Sequence, residues 1–356
     1  MYPELRTPEL SALLRSLCWS RAALLVVISL LGCAATPAVT KSSAVRGEAT
    51  IAVQPAPEII PTMPEVAPPA PEIGRPPPPV VIPPPRIALV LGGGAAKGFA
   101  HIGVIKALES QGVQLDIIVG TSAGSVVGAL YAGGYDGFEL QRIAMDMKES
   151  TLSDWSLPDR GIWKGEALQA FIDKAVQNRP LERLNRKIGV VATDLQSGEA
   201  IVFERGDTGI AVRASSSVPG VFQPVRISGR DYVDGGLVSP VPVRAARNLG
   251  ADIVIAVDIS TRPASQKVDG TIDVLLQTFA IMGNALAASE LPQADVVVKP
   301  DISKLSSTDF QSRHLAILEG ERAGLAAMPE LRRKLAAREE RLRAALAPQP
   351  ASAASR

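Results

Sequence analysis

Three short segments of this 356-residue chain combine residue types and spacings that can do acyl-transfer chemistry. Gly120-Thr121-Ser122-Ala123-Gly124 is a G-x-S-x-G. An apolar run, Leu115 to Val119, precedes it and a small-residue stretch, Ser122 to Ala132, follows, which places it between a strand and a helix. There a sharp turn would lift the Ser122 hydroxyl above the sheet, and the helix N-terminus would favour a developing alkoxide. The competing reading is a glycine-rich turn with Ser122 as helix cap. Gly92-Gly93-Gly94-Ala95-Ala96-Lys97-Gly98 is neither a dinucleotide fingerprint, having Lys97 where the third glycine belongs, nor a P-loop, lacking Gly-Lys-Ser/Thr. What remains is a loop of exposed N–H groups that can either stabilise the oxyanion of a tetrahedral intermediate, with Lys97 adding charge, or serve only as a tight turn. Tyr232-Val233-Asp234-Gly235-Gly236 sets an acid at the end of a short strand with room for close neighbours, and by itself also fits an ordinary Asp-Gly turn.

These residues need a scaffold, and the pattern beyond Arg86 supplies an α/β one. Ile87 to Leu91 is a continuous apolar run stopped by three glycines, as expected of a strand buried on both faces. Further strands are predicted at 115–119, 188–192, 200–203 and 252–257. Helices are predicted at 99–110, 122–132, 167–176, 241–249, 272–288 and 315–346, the last as a solvated outer layer. The alternation predicts a mostly parallel sheet covered on both faces.

In order and spacing the three segments resemble the signatures of the patatin-like phospholipases, the family that includes the neuropathy target esterase and bacterial relatives. The resemblance runs from about Arg86 to Pro300 and extends to Ala100-His101-Ile102-Gly103-Val104, Ala192-Thr193-Asp194-Leu195, Ala214-Ser215, Pro219 to Pro224 and Leu249 to Asp252. It implies a three-layer α/β/α sandwich with a mostly parallel central sheet. It also implies a Ser-Asp dyad: Ser122 as nucleophile, Asp234 as base, the Gly92, Gly93 and Gly94 amides as oxyanion hole and Lys97 as supporting charge, where many members carry arginine. The implied activity is carboxylic ester hydrolysis of phospholipids or lysophospholipids through an acyl-enzyme, without metal or cofactor. A non-catalytic lipid-binding lipoprotein and a short-chain esterase or thioesterase are the alternatives.

The two histidines test the dyad. His101, Val104, Ile105 and Leu108 share one helical face, which marks His101 as a packed residue. His314 follows Ser122 and an acid in the order of an α/β-hydrolase triad, but its polar neighbours mark a loop entering a helix. Trp155 and Trp163 bracket a segment that reads as an acyl funnel, a membrane lip, or packing under a loop.

Composition sets the rest. A formal charge of +1 offers no basic field for nucleic acid. Two cysteines and two histidines are too few for a disulfide framework or a Cys/His metal cluster. Arg15 and Arg21 precede an apolar stretch, Ala22 to Leu31, that ends in Gly32-Cys33, in the shape of a secretory signal that resembles a bacterial lipobox. The expected organisation is a signal over 1–32, lipidation at Cys33, a proline-rich tether over 33–85, the hydrolase domain over 86–300, a helical extension over 301–346 and a disordered tail over 347–356. From Pro55 to Pro85, 14 of 31 residues are proline, which favours a polyproline spacer. Ala34 after the cysteine resembles the pattern sorted to an outer membrane, so a periplasm-facing lipoprotein of the cell envelope is expected, its partners a membrane and a lipid acyl ester. No protein partner is legible.

Overall fold

A computed structural model describes residues 82–147, 165–260 and 270–346, which fall within the compact unit Pro76–Arg356. The leader, Cys33, the tether up to residue 81, the segment holding Trp155 and Trp163 and the tail from residue 347 lie outside the described residues.

The sheet is built on β1 (Ile87–Leu91), whose β-branched and leucine side chains are buried on both faces. Its parallel neighbours are β2 (Ile117–Thr121) on one side and β7 (Ile253–Val257) on the other. β3 (Lys187–Asp194) continues the parallel array beyond β2, and β8 (Val296–Val298) beyond β7. Three antiparallel strands complete the eight-stranded sheet: β4 (Ala200–Phe203) and β6 (Arg230–Asp234) pair with β3, and β5 (Val225–Ile227) pairs with β6. β4 takes one edge of β3 from Val190 to Thr193. β2 pairs with β3 as far as Val191 and β6 from Ala192 onward, so these two strands share the other edge end to end.

Successive side chains of a strand point to opposite faces, and the core divides accordingly. Ile87, Leu89 and Leu91 pack with α1 (Phe99–Ser110), α2 (Ala123–Ala132), α3 (Gly137–Asp146), α4 (Glu166–Ala175), α5 (Thr208–Ser215) and α8 (Arg313–Leu346). Ala88 and Val90 pack with α6 (Val243–Asn248) and the C-terminal part of α7 (Thr271–Glu290). The result is the expected three-layer α/β/α sandwich with a mostly parallel sheet.

Several boundaries differ from the sequence reading. β2 lies two residues later than 115–119, because Asp116 leaves the strand register to accept the Ile87 amide at 2.8 Å while Thr121 still pairs with Val191. The sequence pattern gives no sign of α3, α5, β5 or β8. α3 nevertheless carries a capping box, Asp136 and Glu139 each accepting the other's amide, and Asp207 caps α5 through the Ile210 amide. The expectation of a solvated last helix is corrected for the first half of α8. Ala316, Ile317, Gly320, Gly324, Met328 and Leu331 are buried there, and a Cβ on Gly320 would overlap the Ala100 carbonyl. Paired glycines, Gly103 and Gly320, let α1 and α8 cross nearly backbone to backbone, a contact that the charge-rich surface of α8 conceals in the sequence.

Candidate active site

At the end of β2 the chain turns at Ser122 with φ 52° and ψ −121°. Such a conformation costs an L-residue on the order of 1–3 kcal/mol and persists only where the surroundings enforce it. The Ser122 amide donates to Ser215 Oγ at 2.9 Å, and Ser215 Oγ donates in turn to the Val191 carbonyl at 2.5 Å. The Ser122 carbonyl accepts the Ser125 amide at 2.8 Å and the Ser125 hydroxyl at 2.7 Å. The motif glycines are packing requirements: a Cβ on Gly124 would overlap the Leu91 carbonyl, and one on Gly120 the Gly124 carbonyl. Ser122 thus caps a strand-to-helix elbow wedged against β1, the geometry that exposes a nucleophile.

Asp234 ends β6 on the same edge of β3. Its amide donates to the Ser217 carbonyl at 2.9 Å and its carbonyl accepts Thr193 Oγ1 at 2.8 Å. Oδ1 accepts the Gly236 amide at 2.7 Å. Oδ2 is sealed from solvent without a hydrogen-bond partner, and the Ser122 hydroxyl is near enough to favour the charged carboxylate. Burial is the larger influence and pushes the Asp234 pKa up to about 6, against the lowering by Ser122 and Gly236. A carboxylate poised near neutrality beside a hydroxyl is suited to general-base work. Gly235 is required here, since a Cβ would overlap the Val191 carbonyl.

The glycine loop lies against both elements, and its expected oxyanion donors divide. The Gly92 amide already donates to the Val257 carbonyl at 3.2 Å and the Gly93 amide to the Pro240 carbonyl at 3.0 Å. Gly93 faces the nucleophile, a Cβ there standing 3.4 Å from that of Ser122. Among the described residues no group accepts from the amides of Gly94 and Ala95, and both residues line the cavity at Ser122, so the donors left for an oxyanion are Gly94 and its neighbour. Lys97 is buried in the same wall, and that burial lowers its pKa.

His101 is fully buried in α1 and neutral, its pKa pushed down to about 4 by burial. Its Nε2 lies 2.8 Å from the Gly92 carbonyl and must be the donor, because a carbonyl only accepts, so His101 holds the glycine loop as well as packing. His314 is exposed in the first turn of α8, interacts electrostatically with Asp309 and lines neither lobe of the cavity. The structure also shows partners to which the sequence assigned no role. Thr121 Oγ1 donates to the Ser239 carbonyl at 2.8 Å, and Ser239 Oγ donates to the buried Glu290 at 2.8 Å, tying the elbow to the end of α7.

Two lobes meet at Ser122, sharing Ala95, Val218, Phe222 and Phe310. The smaller, about 140 Å³, is walled by Phe99, Val126, Val127 and Leu168 with Arg213 and Ser216. The larger, about 270 Å³, is bounded by Asp234, Leu237, Ile259 and the α7 residues Leu276, Phe279 and Ala280. Two largely apolar lobes that meet at a strained serine beside a buried acid can hold an acyl chain and present its ester to the Ser122 hydroxyl.

Residues 89–247 match the patatin-like phospholipase family. The chain carries a patatin-like phospholipase domain. The stretch that matches holds the patatin-like domain's Ser122, Asp234 and glycine loop. An uncharacterized NTE-family protein of Mycobacterium tuberculosis is 37% identical over 206 residues, covering 57% of this chain and 57% of that protein. Patatin-like phospholipase domain-containing protein 6 of Mus musculus is 34% identical over 230 residues, covering 62% of this chain and 16% of the mouse protein. The similarity therefore spans little more than half the length of the mycobacterial relative and a small part of the mouse one. Among solved structures, VipD from Legionella pneumophila aligns over 69% of this chain and 67% of its own, at 15% identity and a TM-score of 0.41.

Proposed function

We propose that the patatin-like domain hydrolyses acyl esters of phospholipids or lysophospholipids through a covalent intermediate on Ser122, with Asp234 as base. The observation that carries the reading is the pairing of a strained, exposed-elbow serine with a sealed carboxylate whose pKa is raised to about 6, where two lobes meet. In this reading Ser122 Oγ adds to the ester carbonyl as its proton passes to Asp234 Oδ2. The oxyanion is met by the Gly94 and Ala95 amides. As the intermediate collapses, the ester C–O bond breaks and Asp234 returns the proton to the leaving alkoxide. Water then adds to the acyl group, giving its proton to Asp234, and the Ser122 oxygen leaves with that proton. Cys33 lies outside the described residues; its place as a lipid anchor at a cell-envelope membrane rests on the sequence Leu30-Leu31-Gly32-Cys33.

A fluorophosphonate probe tests the assignment. Mass-spectrometric mapping of the labelled full chain is expected to find the adduct on Ser122, with hydrolysis of a dispersed phospholipid lost in Ser122→Ala. A label on any other residue, or turnover surviving in that variant, would sink the reading.

A further inference from the structure

Arg213, half-buried in the last turn of α5, stands in the wall of the smaller lobe, which Phe222, Leu168 and Val126 also line. Nη1 donates to Gln169 Oε1 at 3.1 Å. Nε is sealed from solvent and has no partner, and among the described residues no ion pair includes Arg213. Ser216 Oγ, in the same wall, is likewise sealed without a partner, whereas Ser217 Oγ is satisfied by the Arg213 carbonyl at 2.8 Å. Against the Arg213 side chain lies Gly165, which caps α4 without any side-chain acceptor for its first amides. A half-buried cation in an apolar wall normally has a counter-ion, and a buried donor normally has an acceptor. Among the described residues both lack one, and both line the lobe that holds Ser122.

We propose that Arg213 and Ser216 form a subsite for a phosphate group carried by the substrate, with the uncapped start of α4 adding its field. The inference rests on the hydrolase reading and adds to it the residues that would select a phosphate-bearing ester over a neutral glyceride. A guanidinium fork beside a hydroxyl matches the several oxygens of a phosphate. A glycerol backbone carries an acyl ester and a phosphate on adjacent carbons, so one lobe can hold both the reacting carbonyl at Ser122 and the anion at Arg213. Arg213 also suits the negative end of α5, a purely structural role that the experiment must separate.

The full-length protein and its Arg213→Gln and Arg213→Lys variants are assayed on a short-chain phosphatidylcholine and on a neutral glyceride of the same acyl length. The ratio of kcat/KM for phospholipid over glyceride is expected to fall about ten- to hundredfold in Arg213→Gln, mainly through KM, the range for one charged hydrogen bond. Arg213→Lys, which keeps the charge without the fork, should fall in between and guards against a folding defect in the first variant. Glycerophosphate should compete with phospholipid turnover in the wild type and bind more weakly to Arg213→Gln by calorimetry. An unchanged ratio, or equal losses on both substrates, would overturn the subsite. Competition by inorganic phosphate as strong as by glycerophosphate, with the ratio unchanged, would place a free anion there and overturn the headgroup assignment. Absence of all ester turnover would defeat the hydrolase reading alone, since the calorimetric difference still reads the subsite.

Discussion

Thr121 and Asp234 pair with consecutive residues on one edge of β3, Thr121 opposite Val191 and Asp234 opposite Ala192. The parallel strand that carries the nucleophile stops where the antiparallel strand that carries the acid begins. Ser215 spans the joint by holding the Ser122 amide and the Val191 carbonyl together. The nucleophile's strand and the acid are therefore positioned by consecutive residues of a single strand.

From the pKa of about 6 at Asp234, kcat/KM should be flat above neutrality and fall about tenfold per pH unit below 6, as the base becomes protonated. The same raised pKa acts oppositely on stability. The folded state holds the Asp234 proton more tightly than the unfolded chain, so this contribution is present below about pH 4 and lost as the pH rises through about 6. Asp234→Asn should thus be inactive yet, at pH 7, more stable than the wild type by about 1–3 kcal/mol. Rate profiles and urea unfolding of the two proteins check both signs; an inactive variant that is also destabilised would contradict the burial argument.

Ser215→Ala removes an acceptor from one buried amide and a donor from one buried carbonyl. Each orphaned group costs about 1–3 kcal/mol in stability. Because the elbow relaxes away from Asp234, kcat should drop roughly tenfold or more while KM changes little, and fluorophosphonate labelling should slow in parallel. A rise in KM at constant kcat would show that Ser215 acts on substrate binding instead.

Glycines in this fold are not equivalent. Gly124→Ala would drive a methyl into the Leu91 carbonyl and force β1 and α2 apart, with an expected loss of about 3 kcal/mol or more and no active protein. Gly198→Ala meets no atom within 4 Å and carries only the strain of a φ of 73°, about 1–2 kcal/mol. Thermal unfolding of the two variants should separate them clearly.

His314→Ala should retain nearly full activity, because the exposed imidazole lines neither lobe of the cavity. His101→Ala should lower both stability and kcat, since it opens the core and frees the Gly92 carbonyl that orients the loop. Loss of activity in a folded His314→Ala protein would replace the dyad with a triad.

The sequence by itself determined the α/β architecture and the three segments that converge on the site, because those features are local. β1 and α1 were readable to the residue from Ile87-Ala-Leu-Val-Leu91 and the helical face after Phe99. The G-x-S-x-G glycines carry their own steric reason, confirmed in the closeness of Gly124 to Leu91. Only the tertiary structure decided which amides of the glycine loop remain free. The carbonyls of Val257 and Pro240 reach Gly92 and Gly93 from more than a hundred residues away. The same holds for Ser215 and Arg213, which sit on a helix too short to show a periodicity and acquire their roles from a strand end and a cavity that are distant in the chain. Strand and helix types follow from side-chain spacing along the chain. A hydrogen bond or an unpaired charge between remote segments follows from how the sheet brings them together.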